Sequence, residues 1–377
     1  MKFNSELSSL HSYISVNRGC SQAILIYRIG KLGDTLIAMP AIQAIRNKFP
    51  DHRLLLLTEK HTNAAHHISS WDVLGPTGWF DAVVIYEVSS GLINKIKNFC
   101  KLFKQLRPLG IQHVYNLSPD RSPFQRKRDR FYFKNILRIP CYTDSKPFIP
   151  PAKNMDGTLP KLEAEWRRLL NLVQEARQEC DYRLLIPQQF KGEAANKLDS
   201  HCIIPGQRIV AIAPGSKMPA KLWPIECFAQ LGQHILEKYP DIALIVLGGK
   251  EDEDAGNTLC AGWGERAHNL AGQLSIYGSA SLLEHCQLYV GNDTGTMHLA
   301  AMVGVPCVAI FSARDYPGKW EPFGRNHAIL RHEAECSGCM LEVCDKFNEC
   351  IKNVSVMSVK QQVISLLQGT TNKDKTT

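Results

Sequence analysis

Apolar residues along this chain gather into short unbroken runs, separated by stretches in which they recur every three or four positions. Runs of that length, bounded by Gly, Pro or polar residues, fit strands buried on both faces of a parallel sheet. The intervening period fits helices that cover the sheet. In the first half, residues 23–30 (AILIYRIG), 53–58 (RLLLLT), 82–87 (AVVIYE) and 113–118 (HVYNLS) read as strands, and a helix is expected from about Thr35 to Phe49. Between the last two strands, Ile93, Ile96, Phe99, Phe103 and Leu106 fall at helical spacing with lysines between them, which predicts one amphipathic helix. A proline-rich stretch, 146–160, interrupts the pattern. A helix over 161–178 and a strand over 183–187 (RLLIP) follow it.

The alternation restarts at 208–215 (RIVAIAPG). It continues through a helix after Trp223-Pro224, 243–249 (ALIVLGG), 288–293 (LYVGND), a helix from Thr294, 306–312 (PCVAIFS) and a last helix near 355–368. Strands alternating with helices in this way make parallel α/β units. The expected fold is therefore α/β, with two Rossmann-like, doubly wound parallel-sheet blocks in series. The chain is expected to divide at 1–190 and 191–377, within a boundary region near 180–205, with the last helix free to pack back on the first domain.

A length of 377 residues suits two domains, and 44% apolar with 21% charged residues excludes a disordered or fibrous chain. Thirteen cysteines form an odd set, mostly single within apolar runs, which fits a reducing compartment. No apolar core of signal-peptide length occurs near the start, and the longest uncharged stretch, 294–313, is broken by Gly304 and Pro306. A cytoplasmic protein is expected. The net charge of +8 is uneven: residues 91–140 hold twelve Lys/Arg against Asp120 and Asp129, so the rest of the chain is slightly negative. Arg126, Lys127 and Arg128 mark this basic segment, which reads either as a solvated helix face or as a surface for an anionic partner such as phospholipid or an acidic glycolipid. No nucleic-acid module is recognisable, so no nucleic-acid partner is expected.

Three strand-to-helix loops carry the candidate chemistry, because in open parallel sheets ligands collect beyond the carboxyl ends of the strands. After the first strand, Gly30 and Gly33 bracket a tight turn that leaves Asp34 at a helix start, either capping the helix or facing a ligand. After 208–215, Ser216 and Lys217, with Lys221-Leu222-Trp223-Pro224 close behind, suit a phosphate through hydroxyl, N–H and ammonium donors. After 288–293, Asp293, Thr294, Gly295 and Thr296 open a helix whose free N–H groups favour an anion, with His298 one turn in. Two phosphate loops in one half and an acid loop in the other suggest a pyrophosphate-containing donor facing a base. Neither a dinucleotide fingerprint nor a kinase or hydrolase signature is present.

RIGKLGDTLIAMPAIQAIRNKFP, APGSKMPAKLWP and VGNDTGTMHLAAMVGVPCVAIF resemble the three motif regions of the lipopolysaccharide heptosyltransferases, glycosyltransferase family 9. The patterns R-x-x-x-x-G-D, K-x-W-P and D-T-G-x-x-H occur in that order, and the resemblance covers residues ~22 to ~368. The resemblance implies the GT-B architecture, two facing Rossmann-like domains with acceptor bound by the first and donor by the second. It also implies a metal-independent inverting transfer of heptose from ADP-L-glycero-D-manno-heptose to an inner-core acceptor at the inner face of the cytoplasmic membrane. On this reading Asp34 is the general base and Lys221 neutralises the donor diphosphate. Ser216 and Lys217 fall on the phosphate-contacting pair, where the family often carries hydroxyl residues at both positions, so Lys217 departs from the pattern. Thr294 and Gly295 bond the diphosphate, Asp293 the donor sugar, and His298 the phosphate side. Glu251 takes the ribose hydroxyls, with Asp252 as its rival, and Leu274 lies against the adenine.

No cofactor beyond the sugar donor is implied. Cys336, Cys339, Cys344 and Cys350 form C-x2-C-x4-C-x5-C, the only cysteine cluster in the chain. The spacing allows a structural zinc or iron site with four thiolates, a disulfide, or free thiols, and no catalytic metal is expected. The same fold leaves open another nucleotide-sugar donor, a protein acceptor, a non-catalytic nucleotide-sugar-binding protein or an epimerase.

Overall fold

The structure of the protein is a computed structural model in which residues 22–60, 68–88, 91–119, 121–173, 182–203 and 206–371 are described. The N-terminal segment read for a signal peptide, Asp120, residues 174–178 of the expected helix and the tail from 372 lie outside the described residues. Contacts divide the chain into two compact units, Met1–Pro150 with Trp166–Cys180, and Pro151–Glu165 with Asp181–Thr377. The chain therefore passes between units three times, not once near residue 190.

The first unit runs β1 (Ala23–Tyr27), α1 (Leu32–Lys48), β2 (Arg53–Lys60), α2 (Ser70–Leu74), β3 (Ala82–Glu87), α3 (Leu92–Leu106), β4 (Ile111–Asn116), α4 (Pro123–Phe131) and β5 (Cys141–Asp144). Its five strands are all parallel, in the order β3-β2-β1-β4-β5. β1 sits at the centre, and each of its five residues is buried, which is why AILIY reads as an unbroken apolar run. β3 lies at the edge and is only partly buried. The stripe expected along α3 is divided. Phe99 and Leu102 pack on the core beside buried Leu106, while Ile93 and Ile96 stand in solvent, 70% and 55% exposed.

α5 (Glu165–Leu170) follows, and the second unit then runs through α6 (Gln188–Ser200), β6 (Arg208–Ala213), α7 (Ile225–Lys238), β7 (Ile242–Val246), α8 (Glu253–Trp263) and β8 (Ala267–Asn269). It continues with α9 (Ile276–Glu284), β9 (Leu288–Asn292), α10 (Gly295–Met302), β10 (Cys307–Phe311), β11 (Ala328–Arg331), α11 (Glu349–Lys352) and α12 (Val356–Thr371). Six parallel strands take the order β11-β10-β9-β6-β7-β8. α12 buries Val359, Val363 and Leu367 in the core of this second sheet, so the last helix packs within its own unit.

Residues 183–187, expected as a strand, join no sheet. Leu185 is 76% exposed, and the segment docks through the Leu184 N–H on the Met302 carbonyl, 2.8 Å away. The uncharged stretch 294–313 is the buried pair α10 and β10, as its Gly304 and Pro306 require. No described helix is long and apolar enough to cross a membrane.

Candidate functional site

In each sheet the winding direction reverses between two neighbouring strands, β1 and β4 in the first and β6 and β9 in the second. Loops leaving the carboxyl ends of such a pair diverge and open a crevice for a ligand. The loop after β1 carries Gly30 to Asp34, and the loops after β6 and β9 carry Ser216 to Lys221 and Asp293 to Gly295.

In the second unit, close approach of backbone brings the two loops together. A Cβ on Gly291 would lie 2.7 Å from the Ala213 carbonyl and 2.5 Å from the Tyr289 hydroxyl, so glycine is required there. The fully buried Asn292 then ties the loops: its Nδ2 donates to the Pro214 carbonyl at 2.7 Å, and its Oδ1 accepts from the Trp223 N–H at 3.2 Å. Trp223 is itself anchored, since its indole N–H donates to the Val354 carbonyl at 2.8 Å. Lys221 ends the short turn Pro219–Lys221, and its Nζ meets Asp293 Oδ2 at 2.5 Å, with both side chains largely buried. This pairing joins two residues that lie in different motifs. The sequence quotes Asn292 in its motif without indicating its bracing role.

α10 starts beside them. The Thr294 side chain does not cap this helix; its hydroxyl lies 2.8 Å from the Thr296 hydroxyl, which also meets Tyr289 at 3.0 Å. The first-turn N–H groups of Gly295 and Thr296 thus face an end where helix polarity favours an anion. His298 is 3% exposed and lies beneath this turn, not on its surface. Ser216 accepts the Met218 N–H at 3.2 Å, and Lys217 is half exposed, 3.9 Å from Glu251. Glu251 and Asp252 separate clearly. The Asp252 carboxylate accepts the Gly249 N–H at 2.8 Å, closely packed where a Cβ on Gly215 or Gly248 would collide with it. Burial raises its pKa. Glu251 is the exposed one of the two, and Leu274 is half-buried before the Ser275 cap of α9.

In the first unit, Gly30 has φ +123°, a conformation that favours glycine, and its missing Cβ leaves room for Asp34. α1 begins at Leu32, three residues earlier than the spacing suggested, which places Asp34 inside the first turn. There its Oδ2 accepts the Lys31 N–H at 2.9 Å, so the carboxylate does cap the helix while remaining partly exposed. Beneath it the almost fully buried Arg28 donates to the Leu117 and Asp34 carbonyls and fixes the loop from below. Nearby, the Tyr27 hydroxyl accepts from Arg121 at 2.6 Å and meets the Tyr86 hydroxyl at 3.0 Å, and Arg121 also pairs with buried Asp129 at 3.0 Å. Burial pushes the Tyr27 pKa well up.

The three basic residues singled out in the sequence do not share a surface. Arg126 is buried, with its guanidinium on Asp144 at 2.6 Å and on the Ser145 carbonyl at 2.7 Å. Lys127 and Arg128 are exposed, and Arg128 leans on Asp129 at 2.6 Å. Helical period explains the correction: one face of α4 turns inward, and Arg126 lies on it. Among the described residues Cys336, Cys339, Cys344 and Cys350 form no disulfide, so that alternative does not describe this cluster. Among the described residues, no three His, Cys, Asp or Glu side chains stand as a ready-made metal-ligand set.

Residues 160–349 match the family model described as glycosyltransferase family 9 (heptosyltransferase). The chain is similar to lipooligosaccharide heptosyltransferase 2 of Campylobacter jejuni, with 24% identity over 344 residues, 90% of this chain and 96% of that protein. Among solved structures it resembles the glycosyl transferase family 9 protein from Veillonella parvula, with a TM-score of 0.71 at 18% identity, over 93% of this chain and 98% of that one. It also resembles the ADP-heptose LPS heptosyltransferase II of E. coli, with a TM-score of 0.63 at 16% identity, over 92% of this chain and 99% of that one. These likenesses identify the two parallel-sheet units as a GT-B-like fold.

Proposed function

The chain belongs to glycosyltransferase family 9, the heptosyltransferases, and from that premise we propose that it moves heptose from ADP-L-glycero-D-manno-heptose to a lipopolysaccharide inner-core acceptor, with inversion at the anomeric carbon. The observation that carries this reading is the second unit's crevice, where a lysine and the uncapped start of α10 converge at the switch point of the sheet. A pyrophosphate is the ligand such a set suits.

In the proposed reaction an acceptor hydroxyl attacks the anomeric carbon, the bond from that carbon to the diphosphate oxygen breaks, and ADP leaves. Asp34 takes the hydroxyl proton as general base. Its Oδ2 is engaged by the Lys31 N–H, which orients the carboxylate and leaves the other oxygen for the acceptor. Lys221 balances the charge that grows on the diphosphate as the bond breaks, so it stabilises the transition state more than the ground state. Asp293 keeps that ammonium in place and meets the donor sugar. The N–H groups of Thr294 and Gly295, with Ser216 and Lys217, bind the phosphates. Glu251 takes the ribose hydroxyls, because Asp252 is committed to the Gly249 N–H. Leu274 packs on the adenine. Buried His298 supports the helix start from below. No catalytic metal takes part in this scheme.

The acceptor is an anionic glycolipid, and the exposed face of α3 is where the protein meets the inner surface of the membrane. Ile93 and Ile96 project there among the exposed Lys95, Lys97 and Lys101, a combination that suits anionic headgroups over acyl chains. Incubation of the purified protein with ADP-heptose and truncated lipopolysaccharides, read by mass spectrometry, tests the reading. Transfer of one heptose to an inner-core acceptor supports it, and turnover only with another nucleotide sugar or a protein acceptor overturns it.

A further inference from the structure

We propose that Cys336, Cys339, Cys344 and Cys350 bind one zinc or iron ion as a tetrathiolate, and that this knot fixes the turn carrying Lys221. The four thiols, from a segment with almost no regular structure, line one small cavity together with Ser337 and Arg314. Around them the segment is inside out: Leu341, Val343 and Phe347 face solvent, Phe347 at 87% exposure, while Cys350 is buried. A loop that turns its apolar residues outward and its thiols inward gains little from hydrophobic burial, and a metal is the usual staple for such a loop.

Backbone geometry points the same way. Gly338, Met340, Phe347 and Asn348 all have positive φ, three of them non-glycine, so the chain is bent tightly around the thiols. Backbone amides are directed at sulfur. The Lys346 and Asn348 N–H groups donate to Cys344 Sγ at 3.3 and 3.4 Å, and the Ala313 N–H donates to Cys350 Sγ at 3.3 Å. These sulfurs thus already accept backbone N–H groups, the partners that orient a metal-bound sulfur. Among the described residues no three such side chains already stand as a metal-ligand set. Binding therefore draws the sulfurs inward, to the ~2.3 Å metal–sulfur distance of a tetrahedral site.

The knot connects to the proposed donor crevice through the backbone. The Ala220 N–H donates to the Glu342 carbonyl at 3.1 Å, and Asn348 Nδ2 approaches the Pro219 carbonyl at 3.5 Å. Arg314 spans the other side, donating to the Leu341 and Met340 carbonyls at 2.6 and 2.5 Å. The turn Pro219–Lys221 thus rests on the cysteine segment, and an ion there would hold Lys221 in position. This second step rests on the proposed role of Lys221; the metal site itself does not.

The test is elemental analysis of untagged protein purified anaerobically, together with native thiol titration and cobalt substitution. The expected result is about one zinc or iron per chain, with the identity given by the analysis. Four thiols should become reactive only after chelation, and Co²⁺ should give the intense sulfur-to-cobalt absorption of a tetrathiolate. Cys336→Ser and Cys344→Ser should each lose most of the ion, and chelation should weaken ADP binding several-fold. If the variants do not fold, the metal content and thiol count of the unaltered protein decide. No bound metal, no retention of added Zn²⁺ or Fe²⁺, and four freely reactive thiols would overturn the site. A full metal complement with ADP binding unchanged by chelation would overturn only the link to Lys221.

Discussion

The two sheets share one winding pattern and carry different chemistry at the same place. In the first, the loop leaving the central strand is closed on itself, with Asp34 reaching back to Lys31 and Arg28 bracing it from beneath. In the second, the matching loops after β6 and β9 hold each other through Asn292 and set a largely buried lysine, paired with Asp293, beside a helix start. Topology dictates where a ligand meets each sheet, and the side chains on those loops decide whether that place offers a proton acceptor or a nest for phosphate. The division separates the two demands of a transfer reaction. In the proposed function, activation of the acceptor falls to a carboxylate in one unit, and stabilisation of the leaving group to cations and N–H dipoles in the other.

The strongest way to break this comparison is at Asp34. Asp34→Ala, and nearly as fully Asp34→Asn, should lower kcat by about 10²–10⁴-fold, the usual span of general-base catalysis. ADP affinity, measured by calorimetry, should stay near its original value because Asp34 and the proposed donor crevice belong to different units. Asp34→Asn keeps much of the capping geometry, so near-normal turnover in that variant would leave Asp34 as a helix cap alone.

Lys221→Ala should come next, with a loss of about 10²–10³-fold in kcat for one preorganised electrostatic contact, accompanied by weaker ADP binding. Steady-state rates with an ADP titration check both, and unchanged values in the two measurements would return the lysine to a structural pairing with Asp293. A smaller effect is expected one residue before Asn292. Gly291→Ala places a methyl against the Ala213 carbonyl, a backbone atom that cannot swing aside. About 1–3 kcal/mol of stability should be lost, seen as a lower Tm, with donor affinity falling as the two loops part. An unchanged Tm would show that the loops do not depend on this close approach.

How far the sequence discloses all this depends on burial. β1, β7, β9 and β10 are buried along their whole length and appear as continuous apolar runs. β5, β8 and β11 are short and only partly buried, so they leave no run to find. RLLIP over 183–187 misleads in the opposite sense, since it pairs with no strand: Leu184 is buried and its N–H docks on the Met302 carbonyl, while Leu185 faces solvent. α6 (QQFKGEAANKLDS) is nearly all polar and buries Ala194, which hides it from any reading of periodicity. At the candidate site, Asp34 and Lys221 stand out because glycines and prolines punctuate their loops. The pairing of Lys221 with Asp293 is invisible to spacing, because strand pairing brings residues 72 positions apart together. Arg126 shows the limit of charge counting: a basic cluster in the sequence spreads over both faces of a helix, and one member of it becomes a buried ion pair.

That last point sharpens the smallest prediction, which contrasts a basic residue facing solvent with one facing the core. Lys97 lies on the exposed side of α3 beside Ile93 and Ile96, whereas Arg126 is enclosed by α4 and β5. If α3 meets an anionic membrane, Lys97→Gln should weaken binding to vesicles containing phosphatidylglycerol by about 1 kcal/mol, roughly fivefold at low salt. The loss should shrink as salt rises and the Debye length shortens. Thermal stability and turnover on a delipidated, soluble acceptor should hardly change, because the side chain is solvated and remote from the β1 loop in sequence. Arg126→Gln should do the reverse, lowering Tm by stranding Asp144 without its partner and leaving vesicle binding of the folded fraction intact. Co-sedimentation with vesicles at two salt concentrations, alongside a melting curve for each variant, separates the two residues. Equal vesicle binding by Lys97→Gln and the unaltered protein at low salt would remove α3 from the membrane contact and leave its lysines as a solvated helix face.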